Sequence, residues 1–239
     1  MSLFSLYGIK EVADVTFWTT GEDSKPVLYL DTLKVSTIEE TGEQAEARGG
    51  KGNAPLIIWD YGKEITLTLE DALFSMKSMQ IMQGAEEISA PASITRTAKG
   101  VYNDELKGEG TDAGIWAGKK YYDETGAEVQ SSALVKGQTY ILAWEETNDK
   151  AKSIEISSST FPGTYKITGD TYARNQATGE DEFFQFIIPL AKINPEQTIT
   201  MQADGDPSTF SMTVRVLRPA TGAMMSLIKY PKIDESAGE

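Results

Sequence analysis

The sequence predicts a mainly β protein, a β-sandwich or barrel with one flanking α-helix. Short runs rich in β-branched and aromatic residues recur along most of the chain, divided by Gly, Pro, Asn and Asp turn signals. One run, Glu64-Ile65-Thr66-Leu67-Thr68-Leu69, alternates strictly, with Ile65, Leu67 and Leu69 on one face and the threonines on the other. Only the stretch around residues 70–83 repeats its apolar residues at helical spacing. Many short strands with a single helix point to one sandwich or barrel.

In order along the chain, Val12–Thr19 is the first strand, ended by Gly21-Glu22-Asp23-Ser24, and Val27–Ile38 is the second. Glu39–Asn53 holds four glycines, four glutamates and no apolar side chain larger than alanine. It cannot bury itself and reads as a long exposed loop. Pro55–Trp59 is a short apolar run, Asp60–Lys63 a turn, and Glu64–Leu69 a strand. A helix over Glu70–Gln83 follows, with Thr68 as N-cap, Glu70 and Asp71 in the first turn and Gly84 at C′. Ala72, Leu73, Met76, Met79 and Met82 form its stripe, and Leu73, Met76 and Met79 are expected to pack on the sheet.

Further strands are expected at Ile88–Thr97, Gln138–Trp144, Ser153–Ser158, Gly163–Arg174, Glu182–Ile193, Thr198–Gln202, Thr209–Leu217 and Met224–Tyr230. The glycine-rich stretch Gly100–Gly137 reads as an excursion from the main sheet. The expected organisation is therefore a β domain of residues 1–99 and 138–239 with an insertion at 100–137. Asp234–Glu239 reads as an exposed tail.

Composition narrows the chemistry. Among 239 residues there is no Cys and no His, which excludes disulfides, thiol nucleophiles, Ser-His-Asp and Cys-His catalysis and His-based metal hydrolysis. No cofactor or metal is expected. Carboxylate pairs remain open as chemistry, but no pair is marked by local sequence. The net charge of −14 disfavours a grip on nucleic acid. No stretch approaches the 18 or so apolar residues of a membrane span, and Met1–Gly8 lacks the features of a signal peptide. Gly49-Gly50-Lys51-Gly52-Asn53 fails the P-loop pattern, because no Ser or Thr follows the lysine and no helix opens there. Asp204-Gly205-Asp206-Pro207 reads as a turn rather than a calcium loop. Trp116, Tyr121 and Tyr122 could stack on a sugar, though aromatics beside glycines more often pack locally.

The stretch from Gly52-Asn53-Ala54-Pro55-Leu56-Ile57-Ile58-Trp59-Asp60-Tyr61-Gly62 through Leu73 resembles tail tube proteins of long-tailed phages. Asp204–Met212, continuing through Val216-Leu217-Arg218-Pro219, is similar to their C-terminal end. Together these strings cover about a quarter of the chain. The resemblance implies a tail-tube-like fold, with the insertion facing outward. It also implies a homo-oligomer: hexameric rings stacked into a tube, whose lumen holds the tape-measure protein and passes DNA during ejection without binding it specifically. A sheath protein around the tube is left open. The implied location is the virion tail, with assembly in the host cytoplasm and no enzymatic activity. The glutamate-rich loop sits where such families contact the next ring, which nominates Glu39, Glu40, Glu43, Glu46, Arg48 and Lys51 as inter-subunit residues. Arg48 and Lys51 would meet carboxylates of the neighbour. The competing readings are a capsid decoration or baseplate subunit, a carbohydrate-binding β-sandwich, and a carboxylate-dependent hydrolase.

Overall fold

The computed structural model describes residues 6–89, 91–102, 118–196 and 209–230. From the N-terminus these form β1 (Tyr7–Ile9), β2 (Asp14–Trp18), β3 (Pro26–Leu30), β4 (Leu33–Gly49), β5 (Ala54–Asp71) and α1 (Met76–Gln83). Next come β6 (Glu87–Ser89), β7 (Ala92–Val101), β8 (Lys120–Tyr122), β9 (Glu128–Val129), β10 (Thr139–Asn148) and β11 (Lys152–Ile154). The chain then forms β12 (Thr164–Asn175), β13 (Asp181–Ile193), β14 (Phe210–Val216) and β15 (Ser226–Tyr230). The expected strand Thr198–Gln202, the Asp204–Pro207 turn, Trp116 and the tail Asp234–Glu239 lie outside the described residues.

Two compact units result, Met1–Glu86 with Ile154–Glu239, and Glu87–Ser153. The smaller unit is wider than the 100–137 insertion expected from sequence. β7 and β10 pair along ten residues of each, and so share a unit.

In the larger unit one antiparallel sheet runs β3-β2-β12-β13-β14-β5-β4, with β1 added to β12 and β15 to β13. Alternate side chains from its strands meet in a single core: Val15 and Phe17, Leu28 and Leu30, Ile65, Leu67 and Leu69, Ile167, Phe186 and Ile188, Met212 and Val214. Ile81 and Met82 of α1 close the same cluster. The sheet is thus folded over a common core with one helix against it, the mainly β architecture that the alternating runs predict. The pairing of β12 with β13 shifts register between Tyr165 and Ile167. Across that shift the buried side chains of β13 change from Phe186 and Ile188 to Ala191 and Ile193. Pro189, which cannot donate to a ladder, sits at this irregularity.

The helix is shorter than its sequence pattern suggests. Glu70 and Asp71 stay in β5, paired with Ser211 and Phe210 of β14, so α1 begins at Met76. Its N-cap is Ser75, not Thr68: Ser75 and Ser78 form a reciprocal capping box. The packing face is Ser78, Ile81 and Met82. Leu73 lies before the helix and is 63% exposed, Met76 is exposed, and Met79 is half-buried. The expected Leu73-Met76-Met79 contact is therefore corrected, since the corner after β5 sets the helix rotation. Gly84 ends the helix as expected, at φ 65°. Ser75→Ala should cost about 1 kcal/mol of stability in a urea titration, the usual value of a lost N-cap.

The two added strands, β1 and β15, are tied to the β12–β13 hairpin by one polar cluster. Lys229 donates to Glu182 and to the Tyr7 hydroxyl (2.9 Å), and Asn175 Nδ2 lies 3.3 Å from Glu182 Oε1. The hydrogen bond from Lys229 holds the Glu182 carboxyl below the usual carboxylate range. A depressed carboxylate pKa stabilises the fold above the unfolded value, and that stability is lost as pH falls through the folded one. Amide protection in β15, relative to the intrinsic exchange rate at each pH, should therefore fall below about pH 4, before protection in β13.

The smaller unit is a four-stranded antiparallel sheet, β7-β10-β8-β9. Tyr102, Tyr121, Tyr140 and Leu142 form its core, with Trp144 half-buried beside them. Tyr121 is thus a packing residue. Lys119 Nζ lies 3.5 Å from the Trp144 ring centroid.

Candidate assembly site: a protruding hairpin

β14 pairs with β5 only from Thr66 to Asp71, whereas β4 pairs with it from Leu33 to Gly49. From Ile65 to Ala54, then, β5 has β4 as its single described partner. Residues 41–64 form a two-stranded ribbon that runs on beyond the sheet for roughly 30 Å, nine residues at strand rise. None of these residues belongs to the buried core.

The expected loop Glu39–Asn53 is therefore mostly strand. Glu39, Glu40, Glu43, Glu46 and Arg48 lie in β4, and Lys51 in the four-residue turn Gly50–Asn53. The composition argument tested burial, which a ribbon does not need. Backbone pairing with the β-branched and aromatic residues Leu56–Tyr61 supplies the order instead. The same pairing draws Asp60–Lys63 into β5. The turn itself needs left-handed backbone at Gly50, Gly52 and Asn53 (φ 77°, 88° and 49°), residues that tolerate it. Its glycines make a bend, not a phosphate cradle.

Gly62 sets the faces of the ribbon. Thr41 pairs with Glu64 but Glu43 pairs with Tyr61, so Gly42 opposes both Gly62 and Lys63. Gly62 has φ 63°, the geometry of a β-bulge glycine. The extra residue reverses the alternation along β5. Without it Tyr61, Trp59 and Ile57 would share the core face with Ile65 and Leu67. With it they lie on the opposite face, beside Glu43, Ala45 and Ala47. The core-side face of the ribbon carries Gln44, Glu46, Arg48, Ile58 and Asp60. That assignment agrees with the Gln44–Asp60 hydrogen bond (2.8 Å) and the Arg48–Glu46 ion pair (2.5 Å).

The charges are mostly self-paired. Lys63 meets Glu40 at 2.6 Å, and Arg215 pairs with Glu64. These exposed pairs contribute little stability, under about 1 kcal/mol each. Lys51 has no ion pair among the described residues. Beside these charges stand Leu56, Ile57, Ile58, Trp59 and Tyr61, each half or more exposed. Five consecutive-zone apolar side chains on a projecting ribbon are a contact surface rather than scattered exposure. Read from sequence, Pro55–Trp59 is a short apolar run with nothing to mark its exposure. Among the described residues no cluster of three or more acidic residues could hold a metal ion.

A family model described as the YomU/Tube protein family matches residues 7–229. The chain belongs to this family. It is also similar to a protein named tail tube protein from Bacillus phage SPR, 24% identical over 208 residues that span 82% of this chain and 78% of that protein. The family match takes in both units of this YomU/Tube chain, so the smaller sheet lies within the matched region.

Proposed function

We propose that this chain is a structural subunit of a phage tail tube, acting by assembly and without catalysis. The observation that carries the reading is the β4–β5 hairpin, a long ribbon with two open edges and a solvent-facing apolar string. Isolated, such a ribbon invites strand addition and aggregation; in a closed assembly it is satisfied. Membership of the YomU/Tube family and the similarity to the Bacillus phage SPR tail tube protein support the same reading.

In the proposed assembly the open edge of β4 meets the open stretch of β5, residues 54–64, on the next subunit. Rotation about a ring axis keeps these two strands antiparallel, so the pairing repeats until the ring closes. Rings of six, as the resemblance implies, then stack. The outer face of β14, β5 and β4 lines the lumen, through which DNA passes in the virion tail. That face carries Thr37, Glu39, Thr66, Thr68, Ser211 and Thr213, and the Arg215 guanidinium beside them is tied to Glu64, so phosphates are offered little hold. Negative-stain microscopy of concentrated protein tests the proposal. Rings or tubes are expected, and a monodisperse monomer at all concentrations overturns it.

A further inference from the structure

We propose that Lys229 and Asn175 join in an intramolecular isopeptide bond, which staples β15 to the β12–β13 hairpin. Glu182 and Tyr7 complete the site.

Topology brings these residues together. β1, β12, β13 and β15 lie side by side in that order, and each supplies one of the four. Tyr7 is the cross-strand partner of Asn175, Glu182 that of Ala173, and Lys229 that of Phe184. Cross-strand partners share a face, as do residues two apart in one strand, so all four side chains lie on the same side of the sheet. The amine and the amide are thereby held two strands apart, with a carboxylate on the strand between them.

The arrangement suits acyl transfer. Asn175 is buried. Its Oδ1 accepts from the backbone amides of Ala177 (2.9 Å) and Thr178 (3.4 Å). Backbone amides only donate, so this atom is the carbonyl oxygen and the atom facing Glu182 is the amide nitrogen. Two donors on the oxygen polarise the carbonyl and are placed to hold the negative charge of a tetrahedral intermediate. The Glu182 carboxylate spans both nitrogens: Oε2 accepts from Lys229 Nζ, and Oε1 from Asn175 Nδ2 at 3.3 Å. The Tyr7 hydroxyl makes a second bridge, 2.9 Å from Lys229 Nζ and 3.4 Å from Asn175 Nδ2. An ion pair between Lys229 and Glu182 requires neither the buried amide nor the second bridge.

In the reaction Glu182 takes a proton from the Lys229 ammonium. The neutral amine attacks Asn175 Cγ and forms the new C–N bond, while the carbonyl electron pair moves onto Oδ1 between the Ala177 and Thr178 amides. As the intermediate collapses, the Cγ–Nδ2 bond breaks. The leaving nitrogen takes one proton from the attacking nitrogen and one from Glu182, and departs as ammonium. Neither water nor an oxidant is consumed. The ion pair makes the first proton transfer uphill, so the bond forms slowly, after folding has placed the groups.

The bond secures a peripheral strand. β15 pairs with β13 over five residues and with no other described strand. A chain without cysteine cannot hold it by a disulfide. Bond formation also consumes the Lys229 charge, so the loss of β15 protection at low pH belongs to the chain before the bond forms.

Intact-mass spectrometry of the purified chain, sampled from refolding onward at neutral pH, reads the bond directly. The expected result is a gradual loss of one ammonia, about 17 Da, and a tryptic product in which the peptides carrying Asn175 and Lys229 are joined. Lys229→Arg keeps the charge beside Glu182, and Glu182→Gln keeps the shape of the bridge. Both should fold, as read by circular dichroism, and both should hold their full mass. A wild-type mass that stays unchanged on prolonged incubation overturns the inference. So does an equal loss in Lys229→Arg, which marks cyclisation of an asparagine on its own backbone. A loss of about 18 Da also overturns it, by placing the bond on Glu182 with release of water.

Discussion

Replacing residues 44–60 with a two-residue Asn-Gly turn should leave a folded subunit that no longer polymerises. Gln44 and Asp60 are cross-strand partners, so the cut removes matched lengths of β4 and β5 and leaves Glu43 opposite Tyr61 to flank the new turn. Asn-Gly favours the tight hairpin geometry required there. The removed stretch contributes no residue to the buried core. The ion pair lost with it, Arg48–Glu46, is exposed and weak. The thermal midpoint should therefore move by only a few degrees, within the effect of about 1 kcal/mol. Assembly should fall from complete to none, because the truncation removes the open β5 edge and all five exposed apolar side chains of the tip. Calorimetry and microscopy on the same sample check both halves. Normal tubes from the truncated chain would show that the hairpin is not the assembly element.

Gly169→Ala should be among the most damaging single substitutions in the larger unit. Gly169 lies in β12 between Val15 of β2 and Phe186 of β13. The Phe186 ring folds across the strand onto it, so a Cβ would lie 2.1 Å from the ring Cζ. Phe186 is 3% exposed and packed in the main core, leaving the ring nowhere to retreat. Overpacking usually costs about 1–3 kcal/mol, and a rigid ring against central-strand backbone belongs at or above the upper end, about 3–4 kcal/mol. For a unit of this size that is a fall of roughly 10 °C in Tm. Phe186→Leu combined with Gly169→Ala should cost less than the sum of the two singles, since the smaller side chain vacates the contested space. Strict additivity would show that the clash is not the cause.

These two predictions divide along what residues reveal locally. The core strands were legible because each encodes its own burial: Ile65, Leu67 and Leu69 alternate with threonines, and they are buried as read. Gly84 was legible as a helix stop because a left-handed C-cap is a single-residue requirement. Without His or Cys, whole classes of catalysis were excluded from composition alone. The strings around Trp59 and Val216 were enough to indicate the tail tube relationship that the family match places on firm ground.

The hairpin was not legible, for a reason that holds beyond this chain. Glu39–Gly49 has no apolar pattern of its own and becomes a strand only because Ala54–Thr66 lies alongside it. Its order comes from backbone pairing between residues up to thirty positions apart, which composition does not record. The bulge at Gly62 then moves Trp59 from one face to the other, a consequence of register, not of residue type. Leu73 shows the same limit in reverse: its spacing matched a helix stripe, but pairing of Glu70 and Asp71 with β14 delayed the helix and left Leu73 in solvent. Gly169 carries no sequence signal at all, since its role exists only where Phe186 crosses it. The sequence by itself thus determined which segments could bury a face and which chemistry was unavailable. Tertiary structure decided which strands met, in which register and facing which way, because hydrogen-bond ladders and close contacts are set between segments and not within them.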